Sequence, residues 1–477
     1  MSVRRTSGGA NAAELTSFGA AGEVTGSCHR LRLEGGTTLI DCGAFQGGAA
    51  QEARNAAPFP FDPAEIDAVL LTHAHLDHVG RLPTLVRSGF RGEVVAPPGA
   101  RAVAETILRD AAKLAAEDHA RELRKARRSG HEDRVRPPPF GDEEVDAVLA
   151  RLREVPYDRP FDLPGARATL RRAGHVLGSA WLAVDPDDGS GRLVFSGDLG
   201  PFEGPLHPGP DPLDGARFVL CEGTYGDRDH RDLAATRAEF ADVVGRACAA
   251  GGRVLIPAFA LGRAQTILAE LARLQRSGAL PVVPVVLDSP MAARLTQAYR
   301  SHPDAFLPAL RDRLEAGDDP FAPPAFEATA SAEASRSLND REGPLIVIAG
   351  SGMMTGGRIV HHLRHHLWKA DTRLLVTGFQ AYGSLGRTLV DGARRIRLFG
   401  ESVVVRASVH TVGGFSAHAG RSDLTAWLDG APDATVRLVH GEPKTLRAFA
   451  AHLKDHARAA GRGRDVRPSV EGRPLRP

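Results

Sequence analysis

Thr72-His73-Ala74-His75-Leu76-Asp77-His78-Val79-Gly80 follows the apolar run Ala68–Leu71 and sets three histidines and an aspartate at the end of an expected buried strand. Side chains alternate along a strand with period two, so His73 and His75 face one side. The turn that follows can swing Asp77 and His78 toward a second position nearby. One short segment therefore suggests two metals. Neutral imidazoles with a carboxylate suit Zn(II) or a similar borderline cation. Two such ions a few ångströms apart activate a water and hold both the attacking and the leaving oxygen of a phosphoryl group. Isolated His-x-His pairs are common at surface turns; the added Asp-His is what makes the metal reading specific.

Working outward, the remaining ligands are expected at other strand ends, because open catalytic sites are assembled from loops at one edge of a rigid sheet. His175 follows Ala168–Ala173 and opens the small-residue stretch Gly174-His175-Val176-Leu177-Gly178-Ser179-Ala180, whose glycines permit a sharp turn. Asp198 ends Arg192-Leu193-Val194-Phe195-Ser196-Gly197, and a carboxylate there can bridge two cations. His440 closes the apolar strand Val436–Val439 and is followed by Gly441. Taken singly, each is an ordinary turn or core residue. Together with the cluster they complete a dinuclear site.

Seven segments in this order resemble the motifs of a known family. They are Asp41 in Leu39-Ile40-Asp41-Cys42-Gly43, the His73–His78 cluster, His175, Asp198, Glu222 in Leu220-Cys221-Glu222-Gly223-Thr224-Tyr225-Gly226, His418 in Gly414-Phe415-Ser416-Ala417-His418, and His440. Over Leu15–Leu453 the chain resembles the beta-CASP group of metallo-beta-lactamase-fold hydrolases. These are RNA-processing nucleases, similar to the endonuclease subunit of the cleavage and polyadenylation specificity factor and its bacterial relatives. The resemblance implies that His73, His75 and His175 hold one zinc and Asp77, His78 and His440 the other, with Asp198 bridging. Asp41 would orient a ligand histidine or the metal-bound water. It further implies in-line attack on phosphorus by a hydroxide between the two metals, with His418 as general acid for the leaving oxygen and Glu222 holding its ring and favouring its charged form. Gly223 stands where these proteins more often carry serine. A histidine at the position of His440 goes with the RNA-directed members of the group, which tilts the substrate toward single-stranded RNA.

Composition agrees with a large globular enzyme. With 477 residues the chain is long for one core, so two structural domains are expected. No apolar run approaches the roughly 20 residues that span a bilayer, and Met1–Ala13 is polar with no signal-peptide core, which predicts a cytoplasmic protein without membrane association. The cysteines Cys28, Cys42, Cys221 and Cys248 are scattered and read as buried thiols. A formal net charge of +2 does not by itself declare a nucleic-acid binder. Two local basic stretches stand out. The helical segment Arg109–Arg128 carries Arg121, Arg124, Lys125, Arg127 and Arg128 near one end, and either touches phosphate or forms a solvated face. Lys454–Pro477 has seven Lys or Arg against three acidic residues and reads as a disordered basic extension adding salt-sensitive RNA affinity.

The expected fold is a four-layer αββα metallo-beta-lactamase domain with an inserted α/β domain, divided as 1–225, an insert 226–397, a return 398–456 and a tail 457–477. Up to Phe218 short apolar strands are separated by glycine turns, with Pro137-Pro138-Pro139 breaking a helical region that resumes at Asp142. Beyond Tyr225 strands and helices alternate (Arg253–Ile256, Gly262–Arg276, Val282–Leu287, Met291–Tyr299), as for a parallel sheet flanked by helices. Within the insert, Gly350-Ser351-Gly352-Met353-Met354-Thr355-Gly356-Gly357-Arg358 follows a strand and opens a helix. Ser351, Thr355, Arg358 and the loop's N–H groups can cradle a phosphate, and a ligand-free glycine cap is an equal reading. Arg263, after Ala258–Gly262, serves either RNA or domain packing. His361-His362-Leu363-Arg364-His365-His366 offers i, i+4 pairs but no acidic partner in its neighbourhood, and is read as a histidine-rich helix.

The function this predicts is a ribonuclease using two Zn(II) per chain, endonucleolytic, 5′-to-3′ exonucleolytic or both, with a homodimer as the candidate assembly. The alternative is a metallo-hydrolase of the same fold acting on a small thioester, lactam or phosphodiester. Glu222, His418 and the long insert speak against it, since a small substrate needs no such lid.

Overall fold

The computed structural model describes residues 13–477 apart from Tyr382, so the reading of Met1–Ala13 lies outside the described residues save for Ala13. The first sheet is laid down in chain order, with strands β1 (Glu14–Ser17), β2 (His29–Leu33), β3 (Gly36–Ile40), β4 (Ala68–Leu70), β5 (Glu93–Ala96) and β6 (Leu152–Glu154) side by side. β1 to β3 are antiparallel and β3 to β6 parallel. The second sheet begins with β7 (Phe161–Leu163), β8 (Ala166–Arg172), β9 (Ala180–Pro186), β10 (Leu193–Phe195) and β11 (Phe218–Glu222).

Between these and the rest of the second sheet lies the insert. Its strands are β12 (Arg253–Pro257), β13 (Val285–Asp288), β14 (Phe326–Ala328), β15 (Leu345–Ala349), β16 (Thr372–Val376), the hairpin β17 (Arg395–Leu398) and β18 (Glu401–Val404), and β19 (Ser408–Thr411). Except for the hairpin they form one all-parallel sheet in the order β14-β13-β15-β12-β16-β19. The chain then returns to the second sheet as β20 (Thr435–Val439), parallel to β11, and β21 (Val466–Pro468), parallel to β20.

Period-two alternation explains the layering. Ile40, Leu70 and Val95 point inward and meet Leu170, Leu182, Phe195, Phe218 and Leu220 of the second sheet in a core between the two sheets. Their chain neighbours Leu39, Val69 and Val94 point outward under the helices Leu82–Arg87, Ala100–Ser129 and Asp142–Arg151. On the far side Trp181, Val194, Val219 and Val436 pack beneath the helices Arg421–Leu428 and Pro443–Ala459. The result is helix, sheet, sheet, helix, as expected. In the insert Val254 and Ile256 face one helical layer and Leu255 the other, so the strand is apolar on both faces, as a covered parallel sheet requires.

Two expectations of domain organisation are corrected. The boundary at 397/398 cuts the β17–β18 hairpin, and the insert's sheet continues to β19, an edge strand whose Ser408-Val409-His410-Thr411 carries a single apolar residue and so gave no strand signal. The segment from 457 is not a disordered extension. Its first residues finish the helix Pro443–Ala459, β21 adds to the edge of β20 with Val466 buried, Ser469 N–H donates to the Leu438 carbonyl, and Leu475 bridges back to Leu15. Arg464 donates to the carbonyls of Leu428 and Ala431 at 2.7 Å each, so part of the basic composition closes a helix end.

Candidate active site

The registers bring the strand ends to one edge. Ile40 pairs with Leu70, Phe195 with Leu220, and Glu222 with Val439, so the residues just beyond them share a rim. Asp41 and His440, each immediately after a strand, have φ of 60° and 48°. Left-handed backbone at non-glycine residues is strained and held by its surroundings, and such strain clusters at functional sites. Gly197 has φ 51°, and a Cβ there would stand 2.5 Å from the Thr72 Cβ, so glycine is what lets the Asp198 loop close on the histidine loop.

Seven side chains converge at this rim. His73, His75, His175 and Asp198 have ligand atoms mutually within 4.8 Å, as do Asp77, His78 and His440. Asp198 lies between the two groups, its Oδ2 3.6 Å from His73 Nε2, 3.5 Å from His78 Nε2 and 3.7 Å from His175 Nε2, and its Oδ1 3.3 Å from His440 Nδ1. His75 Nδ1 stands 2.9 Å from His73 Nε2 and 3.2 Å from His175 Nε2.

Hydrogen bonds behind the rings fix which nitrogen faces inward. Asp41 Oδ2 accepts from His78 Nδ1 at 2.7 Å, the Ala417 carbonyl from His175 Nδ1 at 2.8 Å, and Thr224 Oγ1 from His440 Nδ1 at 3.0 Å. Each of these rings therefore presents Nε2 to the centre. Asp41 is itself held by Thr72 N–H at 2.8 Å, Thr72 Oγ1 at 2.9 Å and Ser27 Oγ at 3.2 Å. Buried polar atoms are normally paired, yet His78 Nε2, His440 Nε2 and Asp198 Oδ1 are buried without a hydrogen-bond partner. Orphaned buried nitrogens and a carboxylate oxygen gathered at one rim fit metal cations.

The electrostatics agree. Burial, with the neighbouring histidine rings, holds His73 and His175 well below the ordinary imidazole value, and burial takes His75 down to about 4, so all three keep a free lone pair. Asp77, despite burial, is brought down to about 2 by the close His440 ring, whose Nε2 stands 3.5 Å from its Oδ2, and by the His78 and His75 rings. His78 is pushed the other way: Asp198 and Asp41 outweigh its burial and raise it. Two carboxylates that draw a proton onto a buried ring draw a cation to the same place.

His418 sits at the mouth. Its Nδ1 is 3.3 Å from Glu222 Oε1 and 4.0 Å from Asp198 Oδ2, and its side chain is 22% exposed, where the histidines behind it are nearly closed off. Burial disfavours its charged form, but the charge and hydrogen bond of Glu222, with Asp198, raise it to about 9. Glu222 is fully buried and fixed by the N–H groups of Leu199 at 2.7 Å and Thr224 at 3.2 Å. A charged imidazole at the rim of a cation pocket is placed to give a proton.

Other expectations fare differently. Arg358 is spent internally, its Nη1 2.7 Å from Asp288 Oδ1 and from Thr329 Oγ1, so it does not line a phosphate cradle. The same Asp288 accepts from His362 Nε2 at 2.6 Å; the acidic partner missing from the neighbourhood of the histidine-rich helix comes from β13. Ser351 and Thr355 stay at the surface of their loop, 3.4 Å apart. Arg263 is half-buried and donates to the Phe415 carbonyl, three residues before His418, which is the packing alternative. In the helix Ala100–Ser129, Arg109, Arg121 and Arg127 are paired with Asp146, Asp118 and Glu132. A Cβ at Gly223 would stand 2.5 Å from Leu446 Cδ2, so leucine packing occupies the space a serine needs. Thr224 and Thr72, whose hydroxyls fix His440 and Asp41, stood inside motifs quoted above without being singled out; their signal was adjacency to a ligand. All four cysteines are buried and free, as expected. No helix among the described residues is long and apolar enough to cross a membrane.

Inward imidazoles and carboxylates at the rim of a two-sheet αββα scaffold define a metallo-hydrolase. Comparison with known proteins narrows the class. Residues 21–239 match the metallo-beta-lactamase superfamily, 264–389 the Beta-Casp domain, and 402–465 the Zn-dependent metallo-hydrolase RNA specificity domain. The chain is 44% identical to Ribonuclease TTHA0252 of Thermus thermophilus over 91% of its own length and 94% of that protein. It is 30% identical to the transcription termination factor FttA of Methanocaldococcus jannaschii over 91% of its own length and 67% of that protein. Among solved structures, a protein of unknown function from Enterococcus faecalis V583 aligns with a TM-score of 0.55 at 12% identity, covering 97% of this chain and 99% of that one, a likeness of fold. The chain belongs to the beta-CASP family of metallo-beta-lactamase-fold hydrolases.

Proposed function

We propose that the protein is a ribonuclease that hydrolyses phosphodiester bonds of single-stranded RNA with two zinc ions. His73, His75 and His175 would hold one and Asp77, His78 and His440 the other, with Asp198 placed between the two sets to serve both. Bound there, the cations would supply Lewis-acid stabilisation of the phosphoryl oxygens and a water activated at neutral pH. The chain's own residues do the rest. Asp41, Thr224 and the Ala417 carbonyl lock the ligand rings by their Nδ1 bonds. Glu222, clamped by two backbone N–H groups, accepts from His418 Nδ1 and so favours the charged ring, which gives the proton on its other nitrogen, Nε2, to the leaving oxygen while the Nδ1 proton stays with Glu222.

The observation that carries this reading is the Glu222–His418 pair, 3.3 Å apart and set 4.0 Å from the shared Asp198. A water-activating centre beside a proton donor is what expulsion of a ribose oxygen needs. RNA as substrate is supported by the name of the 44%-identical relative and by the RNA specificity domain matched at 402–465. The test is cleavage of end-labelled and internally labelled single-stranded RNA and DNA by zinc-loaded protein beside an Asp77→Ala, His78→Ala variant. Zinc-dependent RNA cleavage absent from the variant is expected, and the product ladder separates internal from end-directed cutting. No RNA cleavage with zinc bound would sink the reading and move a small-substrate hydrolase to the front.

A further inference from the structure

A single exposed apolar side chain is ordinary, but exposed rings brought together mark interaction surfaces, and two stand on neighbouring loops of the insert. Phe259 is 43% exposed and Phe379 51%. Phe259 follows β12 and Phe379 follows β16, adjacent parallel strands, so both lie at the C-terminal edge of an open parallel sheet, where such sheets bind ligands. Of the other exposed rings, Phe399 stacks on His361 at 4.7 Å, Trp368 carries Lys369 over its face, and Phe202 lies outside the insert, on the loop after Asp198.

The two loops are tied into one surface through the loop after β15. The Phe259 ring lies against Gly352, where a Cβ would come within 2.8 Å of Phe259 Cδ2. Gln380 Nε2 donates to the Gly352 carbonyl and to the Phe379 carbonyl, each at 3.0 Å. Glycine at 352 thus leaves room for the ring, and glutamine at 380 pins the second loop to the first. This surface abuts the active site at two points. A Cβ on Gly262 would lie 3.1 Å from Val176, next to His175, and Arg263 donates to the carbonyl of Phe415 in the loop that carries His418.

We propose that Phe259 and Phe379 form a stacking platform that holds unpaired nucleobases of the RNA strand beside the scissile phosphate. The proposal rests on the ribonuclease reading above and deepens it. A π-face accepts any base, so the platform grips single strands without reading sequence, and a duplex, whose bases are already stacked, cannot use it. The neighbouring Ser351 hydroxyl and loop N–H groups leave the backbone phosphates a polar surface alongside.

The test is steady-state cleavage by the zinc-loaded full chain of single-stranded RNA with normal or abasic nucleotides flanking the cut bond. Phe259→Ala and Phe379→Ala are each expected to raise KM about ten-fold with little change in kcat, the size of one lost base stack. Phe259→Trp should restore affinity and Phe259→Leu should not. Abasic nucleotides should cost the wild type a similar factor and cost the alanine variants little more, because ring and base are lost as one interaction. The wild-type comparison needs no variant to fold; zinc content and melting temperature check those that do. Unchanged KM in both alanine variants, rescue by leucine, or additive losses of ring and base would overturn the platform while leaving the ribonuclease standing. A wild type that does not cleave normal RNA overturns both.

Discussion

At the scale of single residues, the site is arranged so that each group's environment sets its task. Glu222 and Asp198 are both buried carboxylates at strand ends, yet one is capped by backbone N–H groups and faces a histidine while the other keeps an unpartnered oxygen toward the ligand rings. Removing the Glu222 charge tests the first assignment. His418 is raised to about 9 chiefly by Glu222 working against burial, so a proton donor there keeps its proton through neutral pH. Glu222→Gln keeps the shape and the acceptor oxygen but removes the charge. The alkaline limb of the pH–rate profile should therefore move to lower pH, with zinc content unchanged. A limb that stays in place would show that another group donates the proton. A second residue-scale expectation concerns Gly223, where the family resemblance led one to look for serine. The new side chain would meet Leu446 at 2.5 Å from its Cβ, and overpacking of this kind costs about 1–3 kcal/mol. Urea denaturation of Gly223→Ser, Leu446→Val and the double variant should give losses that fall short of additive. Strict additivity would mean that the backbone moves instead.

Among elements, the seam between insert and catalytic domain offers a titration. His207, on the loop after Asp198, is buried against Phe306 and Tyr299 of the insert, its Nδ1 2.8 Å from the Ala305 carbonyl and its Nε2 without a partner. Burial lowers it to about 4. The folded protein keeps it neutral while the unfolded chain protonates it near 6.5. Its contribution to stability is therefore complete above pH 6.5, declines as pH falls from 6.5 to 4, and is lost below, about 3 kcal/mol in all. His207→Phe keeps the stacking, removes the titration and gives up the bond to Ala305. It should be less stable than wild type at pH 7 and lose the disadvantage by pH 4.5 in urea titrations. Parallel curves for the two proteins would remove His207 from the acid response. The same scale shows what the sequence could tell. β4, β12, β20 and the helix Arg263–Arg276 could be read because apolar runs and turn glycines are local signals, and every candidate ligand sat at the end of such a run. β19 and β21 could not, since an edge strand owes its pairing to a neighbour far along the chain and needs little apolar character of its own. Arg358 and His362 failed for a related reason: the carboxylate they share, Asp288, is 70 and 74 residues away.

For the whole molecule, the chain passes through the catalytic site at widely separated points. Asp41, the His73–His78 cluster and Asp198 come before the insert and His418 and His440 after it, so cations held by both sets would tie the two halves of the catalytic domain together. Whether the insert feels this depends on how it is attached. It is not hung on a flexible linker: Leu261, Leu295, Tyr299, Phe306 and Phe321 belong to the same apolar core as Val103, Ile107, Leu177 and Leu206 of the catalytic domain. Tyr299 Oη accepts from Leu177 N–H at 3.3 Å, two residues past His175, and Leu307 N–H donates to the Leu206 carbonyl at 2.9 Å. A shared core with hydrogen bonds across it makes insert and catalytic domain one cooperative unit. Because a ligand that binds only the folded state stabilises it by RT ln(1 + [L]/Kd), metal held at 100 times Kd contributes about 2.7 kcal/mol per site. Chelation should then lower the melting temperature of the entire protein in one calorimetric transition, and restored zinc should raise it in proportion to the logarithm of its free concentration. The Asp77→Ala, His78→Ala variant should recover only part of that rise, since it leaves His73, His75, His175 and Asp198 in place. Two transitions, with one indifferent to metal, would show that the insert stands on its own sheet and that the shared core does not couple it to the site.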